Sequence, residues 1–65
     1  MDILINGQRI TIDAALSLPD LLAQQGFHGS FALAINGDFV PKSEYASTPL
    51  NEGDALDVLT PISGG

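Results

Sequence analysis

The sequence predicts an α+β domain, a mixed β-sheet packed on one short α-helix. Three observations predict it. Asn6-Gly7 lies between two runs of alternating apolar residues, and Asn-Gly is the strongest short hairpin signal because a tight primed turn needs positive φ. Leu18, Leu21 and Leu22 recur at helical spacing just after that hairpin. Further short strand-like runs follow, and a hairpin, then a helix, then more strands is an α+β order. At 65 residues the chain is one domain with a marginal core, because a domain this small buries only roughly 60% of its unfolded surface.

The hairpin is predicted over residues 2–12. Ile3 and Ile5 share one face of its first strand, and Ile10 and Ile12 share one face of its second. Asp2, Arg9, Thr11 and Asp13 point the other way, and so does Leu4, which breaks the polar-out pattern. The helix is predicted over 17–25. Ser17 is a good N-cap with Asp20 three residues on, Pro19 is tolerated in the first turn, and Gly26 is placed as the C-terminal cap. So short a helix is not stable alone and must lie on a sheet. Residues 31–36 read as a third strand, with Leu33 and Ile35 expected in the core. Asn36-Gly37-Asp38 turns it into a short fourth strand, Phe39-Val40, stopped by Pro41. Residues 42–47 suit one helical turn, and Asn51-Glu52-Gly53-Asp54 suits a turn. Ala55 to Thr60 makes the last strand, with Leu56 and Val58 inward and Asp57 and Leu59 outward. If the last strand pairs with the first it runs parallel to it, and with a helix across one face such a mixed sheet is a β-grasp. Residues 1–60 form that domain, and 61–65 are expected to be a flexible tail ending in Gly-Gly.

Composition excludes much chemistry. There is no cysteine, which removes disulfides, thiolate metal sites and cysteine nucleophiles, and a single histidine removes a His-rich metal site. No apolar run approaches a membrane span, and the start MDILIN has no basic region like that of a signal peptide. The default expectation is therefore cytoplasmic. Arg9 and Lys42 face eight acidic residues, for a net charge of −6. Two cations cannot make a nucleic-acid footprint or hold an anionic membrane. An acidic surface does suit docking on a basic protein partner.

No catalytic constellation is present. His28 sits between Phe27 and Gly29 with no acid nearby in sequence and reads as a surface or turn histidine. The serines lack a nucleophile-elbow context. Glu52, Asp54 and Asp57 do not match a calcium loop and read as a solvated turn. No glycine pattern matches a phosphate-binding loop.

The last residues, Gly64-Gly65, are left. Two glycines without Cβ atoms make a thin arm that can thread a narrow tunnel. A carboxylate at its tip is ionised at neutral pH and can attack the α-phosphorus of ATP to give an acyl-adenylate. The ATP must then be held by another protein. The residues alone leave other readings open: a frayed end, or an acidic binding module whose glycines are incidental.

The sequence combines Met1-Asp2-Ile3-Leu4-Ile5-Asn6-Gly7, Ser17-Leu18-Pro19-Asp20-Leu21-Leu22 and Leu33-Ala34-Ile35-Asn36-Gly37. Val40-Pro41, Asn51-Glu52-Gly53-Asp54 and a closing Gly64-Gly65 follow in order. By these residues the whole chain resembles the ThiS family, the ubiquitin-like sulfur carriers of bacterial thiamine biosynthesis. The resemblance implies a β-grasp fold and a protein co-substrate rather than an enzyme, with no bound cofactor. It implies that a ThiF-type adenylyltransferase uses ATP to adenylate Gly65, with Gly64 and Gly65 threading its site. A sulfur donor such as a cysteine desulfurase then makes the thiocarboxylate, and thiazole synthase (ThiG) takes the sulfur. Two relatives with the same tail chemistry stand as alternatives, the molybdopterin-synthase small subunit and a ubiquitin-like protein modifier.

A docking face is also expected. If the first and last strands are neighbours, the outward Leu4 and Leu59 lie side by side on the helix-free face, with Asp2 and Asp57 as a charged rim.

Overall fold

Alternation and turn chemistry act together in the first hairpin. In the computed structural model, which describes residues 1–61, β1 (Asp2–Ile5) pairs antiparallel with β2 (Gln8–Thr11). The turn residues Asn6 and Gly7 have φ of 50° and 82°, the left-handed pair that a type I′ turn requires. The same device recurs between β3 (Ala32–Ile35) and β4 (Asp38–Val40), where Asn36 and Gly37 have φ of 52° and 86°.

Helix α1 (Leu18–Gln24) starts at Ser17, whose Oγ accepts the backbone N–H of Asp20 at 3.3 Å. It ends in a Schellman motif. The Gly26 N–H donates to the Ala23 carbonyl and the Phe27 N–H to the Leu22 carbonyl, both at 3.0 Å, with Gly26 at φ 85°. A 3₁₀ turn (Lys42–Ser47) follows β4 and buries Tyr45. The last strand, β5 (Ala55–Leu59), enters the middle of the sheet.

The strand order is β2-β1-β5-β3-β4. β5 runs parallel to β1 and antiparallel to β3, so the two hairpins flank one central strand. The register places Ile3, Ile5, Leu33, Val40, Leu56 and Val58 on the face covered by α1, and these pack with Leu18, Leu21 and Leu22 in one core. This is the β-grasp fold expected from the element order. Leu33 is buried and Ile35 partly so, which fixes the direction of β3: Ala32 and Ala34 face away from the helix. Ile10 is half-buried rather than a full core member, because β2 is an edge strand that the helix covers less completely. The regular elements are slightly shorter than expected, with residues 17, 25, 31, 36 and 60 serving as caps or flanks.

The turn asparagines also tie the hairpins to β5. Asn6 Oδ1 accepts the Val58 N–H at 2.8 Å and Asn36 Oδ1 accepts the Ala55 N–H at 3.0 Å. Asn36 Nδ2 donates to Asp54 Oδ1 at 2.9 Å, and the Asn51 N–H donates to Asp54 Oδ2 at 2.8 Å. Asp54 is thus only 7% exposed, which corrects its reading as part of a solvated turn. A buried carboxylate is tolerated when both oxygens are hydrogen-bonded. Glu52 remains exposed, and its carboxylate accepts the Asp2 N–H at 3.1 and 3.2 Å.

Candidate functional site

The expected reactive residues, Gly64 and Gly65, lie outside the described residues, as does the tail from residue 62 on. What the fold does determine is where the chain leaves the sheet. β5 is the central strand, and it ends at Leu59 beside Ala32, at one end of the sheet. Thr60 and Pro61 follow, both exposed and outside the strand.

The face of the sheet away from α1 is uncovered among the described residues. Register assigns to it Arg9 and Thr11 on β2, and Asp2 and Leu4 on β1. Ala55, Asp57 and Leu59 on β5, Ala32 and Ala34 on β3, and Phe39 on β4 complete it. Leu59 is 70% exposed and Phe39 71%. Between them run the small side chains of Ala32, opposite Leu59, and Ala34, opposite Phe39. Two large apolar side chains thus project on either side of a low alanine strip, next to the point where β5 ends.

This arrangement corrects the expected pairing of Leu4 with Leu59. β1 and β5 are indeed neighbours and both leucines lie on the helix-free face. However, the parallel register sets Leu4 opposite Ala55. Leu59 is four residues further on, about 13 Å along the strand. Leu4, at 37% exposure, belongs to the opposite end of the face. The apolar companion of Leu59 is Phe39, which sequence reasoning missed. The signal was present: with Val40 inward, alternation turns Phe39 outward.

The acidic positions are as expected on that face. Asp57 lies between Ala55 and Leu59 and is exposed. Asp2 is half-buried, and its Oδ1 accepts the Thr11 hydroxyl at 2.7 Å. His28 is exposed in the loop after α1. Among the described residues no group of three acidic, histidine or cysteine side chains is placed to hold a metal ion. No helix among them is long and apolar enough to cross a membrane.

Comparison with known proteins shows the family and the fold. The model of the ThiS family matches residues 3–65. A thiazole synthase of Paramagnetospirillum magneticum is 35% identical over the whole chain, which spans about a fifth (20%) of that protein's length. An uncharacterized protein, ycf40, of Porphyra purpurea is 32% identical, with 100% of this chain and 93% of that protein covered. Among solved structures, the crystal structure of the thiamine biosynthesis protein ThiS from Geobacter metallireducens superposes with a TM-score of 0.80. It is 26% identical, and all of both chains is covered.

Proposed function

The chain belongs to the ThiS family, and on that premise we propose that it is a sulfur carrier of thiamine biosynthesis whose Gly65 carboxylate is the carrying group. The observation that carries the proposal is a family match running through Gly64 and Gly65. In this reading the chain is a co-substrate rather than an enzyme, with no cofactor of its own, and acts in the cytoplasm. Residues 61–65 serve as the arm and 1–60 as the handle. A ThiF-type adenylyltransferase holds the ATP. A carboxylate oxygen of Gly65 attacks the α-phosphorus and pyrophosphate leaves, giving an acyl-adenylate. The terminal sulfur of a persulfide, supplied by a donor such as a cysteine desulfurase, attacks the acyl carbon and expels AMP. A thiol then breaks the resulting S–S bond and leaves the thiocarboxylate, which donates sulfur to thiazole synthase. Without cysteine, the chain cannot divert its own activated acyl group into an internal thioester. Gly64 contributes by what it lacks, since a Cβ there would widen the arm in a narrow tunnel.

The handle docks through its helix-free face. Leu59 and Phe39, flanking the alanine strip, form its apolar centre, and Asp57 contributes charge beside it. Leu4 and Asp2 extend the face toward its other end. An exposed apolar patch of this kind is a surface for protein contact, and here it adjoins the end of β5 from which the arm begins. The likeness to a thiazole synthase supports that enzyme as one of its partners.

The test is ATP–pyrophosphate exchange with the activating enzyme, using the whole chain, a Gly65-deleted chain and a Phe39→Asp/Leu59→Asp double variant. Exchange should vanish on deletion and require more of the double variant to saturate. Undiminished exchange with the deleted chain overturns the tail chemistry.

A further inference from the structure

On the helix side, at the same end of the sheet as the exit of β5, lies an open groove that the carrier reading does not use. It is lined by Leu22, Phe27, Phe31 and Tyr45 and by the exposed His28 and Lys42. The Schellman motif holds Phe27 in place. The Phe31 ring is 6.0 Å from those of both Phe27 and Tyr45, tilted against the first and stacked on the second. Three of the chain's four aromatic residues therefore meet here.

The charge distribution is as uneven. The chain has two Lys or Arg residues and one histidine, and Lys42 and His28 both line this groove while Arg9 lies on β2 at the far edge of the sheet. Of eight acidic residues, none is among those lining the groove. An aromatic lining with the Lys42 ammonium and the His28 imidazole beside it, and no carboxylate among the lining residues, suits an apolar side chain next to a carboxylate. At about 260 Å³ the groove is smaller than most small-molecule sites, which run from roughly 300 to 1,000 Å³, so a side chain suits it better than a whole metabolite.

We propose that this groove is a second recognition site, which binds a partner-protein segment in which an aromatic side chain lies next to acidic residues. The ring packs on Phe27, Phe31 and Tyr45, and the carboxylates meet Lys42 and His28. The site lies on the opposite face from the Leu59–Phe39 patch. It does not depend on the sulfur-carrier reading, and its test uses no enzyme.

The probe is the peptide acetyl-Phe-Glu-Asp-amide, titrated into isotope-labelled protein and followed by NMR. Shifts should map to Phe27, His28, Phe31, Lys42 and Tyr45, with a Kd on the order of 1 mM for so short a peptide. Replacing its Phe by Gly should weaken binding about tenfold, by loss of the buried ring. Replacing both acids by Lys, or Lys42→Glu in the protein, should weaken it about fivefold, with Lys42→Arg retaining it. Equal binding of the peptides, or shifts confined to the helix-free face, would overturn the proposal. So would groove shifts on dilution of the free protein, which identify a second copy as the occupant, or on truncation after Pro61, which identify the chain's own tail.

Discussion

The two faces of β5 share one backbone and differ in almost everything else. Inward, Leu56 and Val58 are sealed under α1. Outward, Ala55, Asp57 and Leu59 have no covering element among the described residues, and Leu59 keeps 70% of its surface. The inward apolar residues are required by folding, because a domain of this size has little core to spare. The outward ones add little to the core, and the proposed function assigns the leucine and the phenylalanine beside the alanine strip to partner contact. The contrast teaches that apolar residues must be assigned by face before they are assigned a role.

The contrast breaks most visibly at Leu56. Leu56→Ala should cost about 2–5 kcal/mol, a large part of the roughly 5–15 kcal/mol typical of a whole domain, and denaturant unfolding reads it directly. Wild-type stability would mean that the inner face is not the core. Asp54→Ala should cost about 1–3 kcal/mol, because the Asn36 amide and the Asn51 N–H lose their acceptor. Asp54→Asn should recover part of that, having one acceptor oxygen instead of two. Ser17→Ala should cost about 1 kcal/mol through loss of the α1 cap. The smallest change in stability, within about 0.5 kcal/mol, is expected for Leu59→Asp and Phe39→Asp. These two should nevertheless weaken partner binding by about 1–2 kcal/mol or more by titration calorimetry. Their effect should persist in high salt, since screening acts on charges. Equal loss of stability at Leu56 and Leu59 would erase the distinction between the faces.

Most of the fold was legible because it is written in short-range chemistry. Asn-Gly turns, the Ser17 cap, the Gly26 stop and period-two alternation each specify their own element. What was not legible depends on register between strands distant in sequence. Asp54 looked solvated because Asn36, its partner across the fold, is 18 residues away. Leu4 and Leu59 looked adjacent because neighbouring strands do not reveal their offset, and the parallel register set them four residues apart. Phe39 was legible from alternation but was passed over in so short a strand. The groove of Phe27, Phe31 and Tyr45 required the 3₁₀ turn to be folded against the end of α1.

Sulfur carried on the Gly65 carboxylate would change the mass of the whole chain, which intact-protein mass spectrometry reads. The whole chain is incubated with its activating enzyme, ATP and a persulfide sulfur source under reducing conditions. A heavier species is expected, differing from the starting protein by one sulfur in place of one oxygen, localised to the C-terminal fragment and absent when ATP is omitted or Gly65 is deleted. An unchanged mass in the presence of an active enzyme, or a conjugate to another protein's lysine in its place, would contradict it.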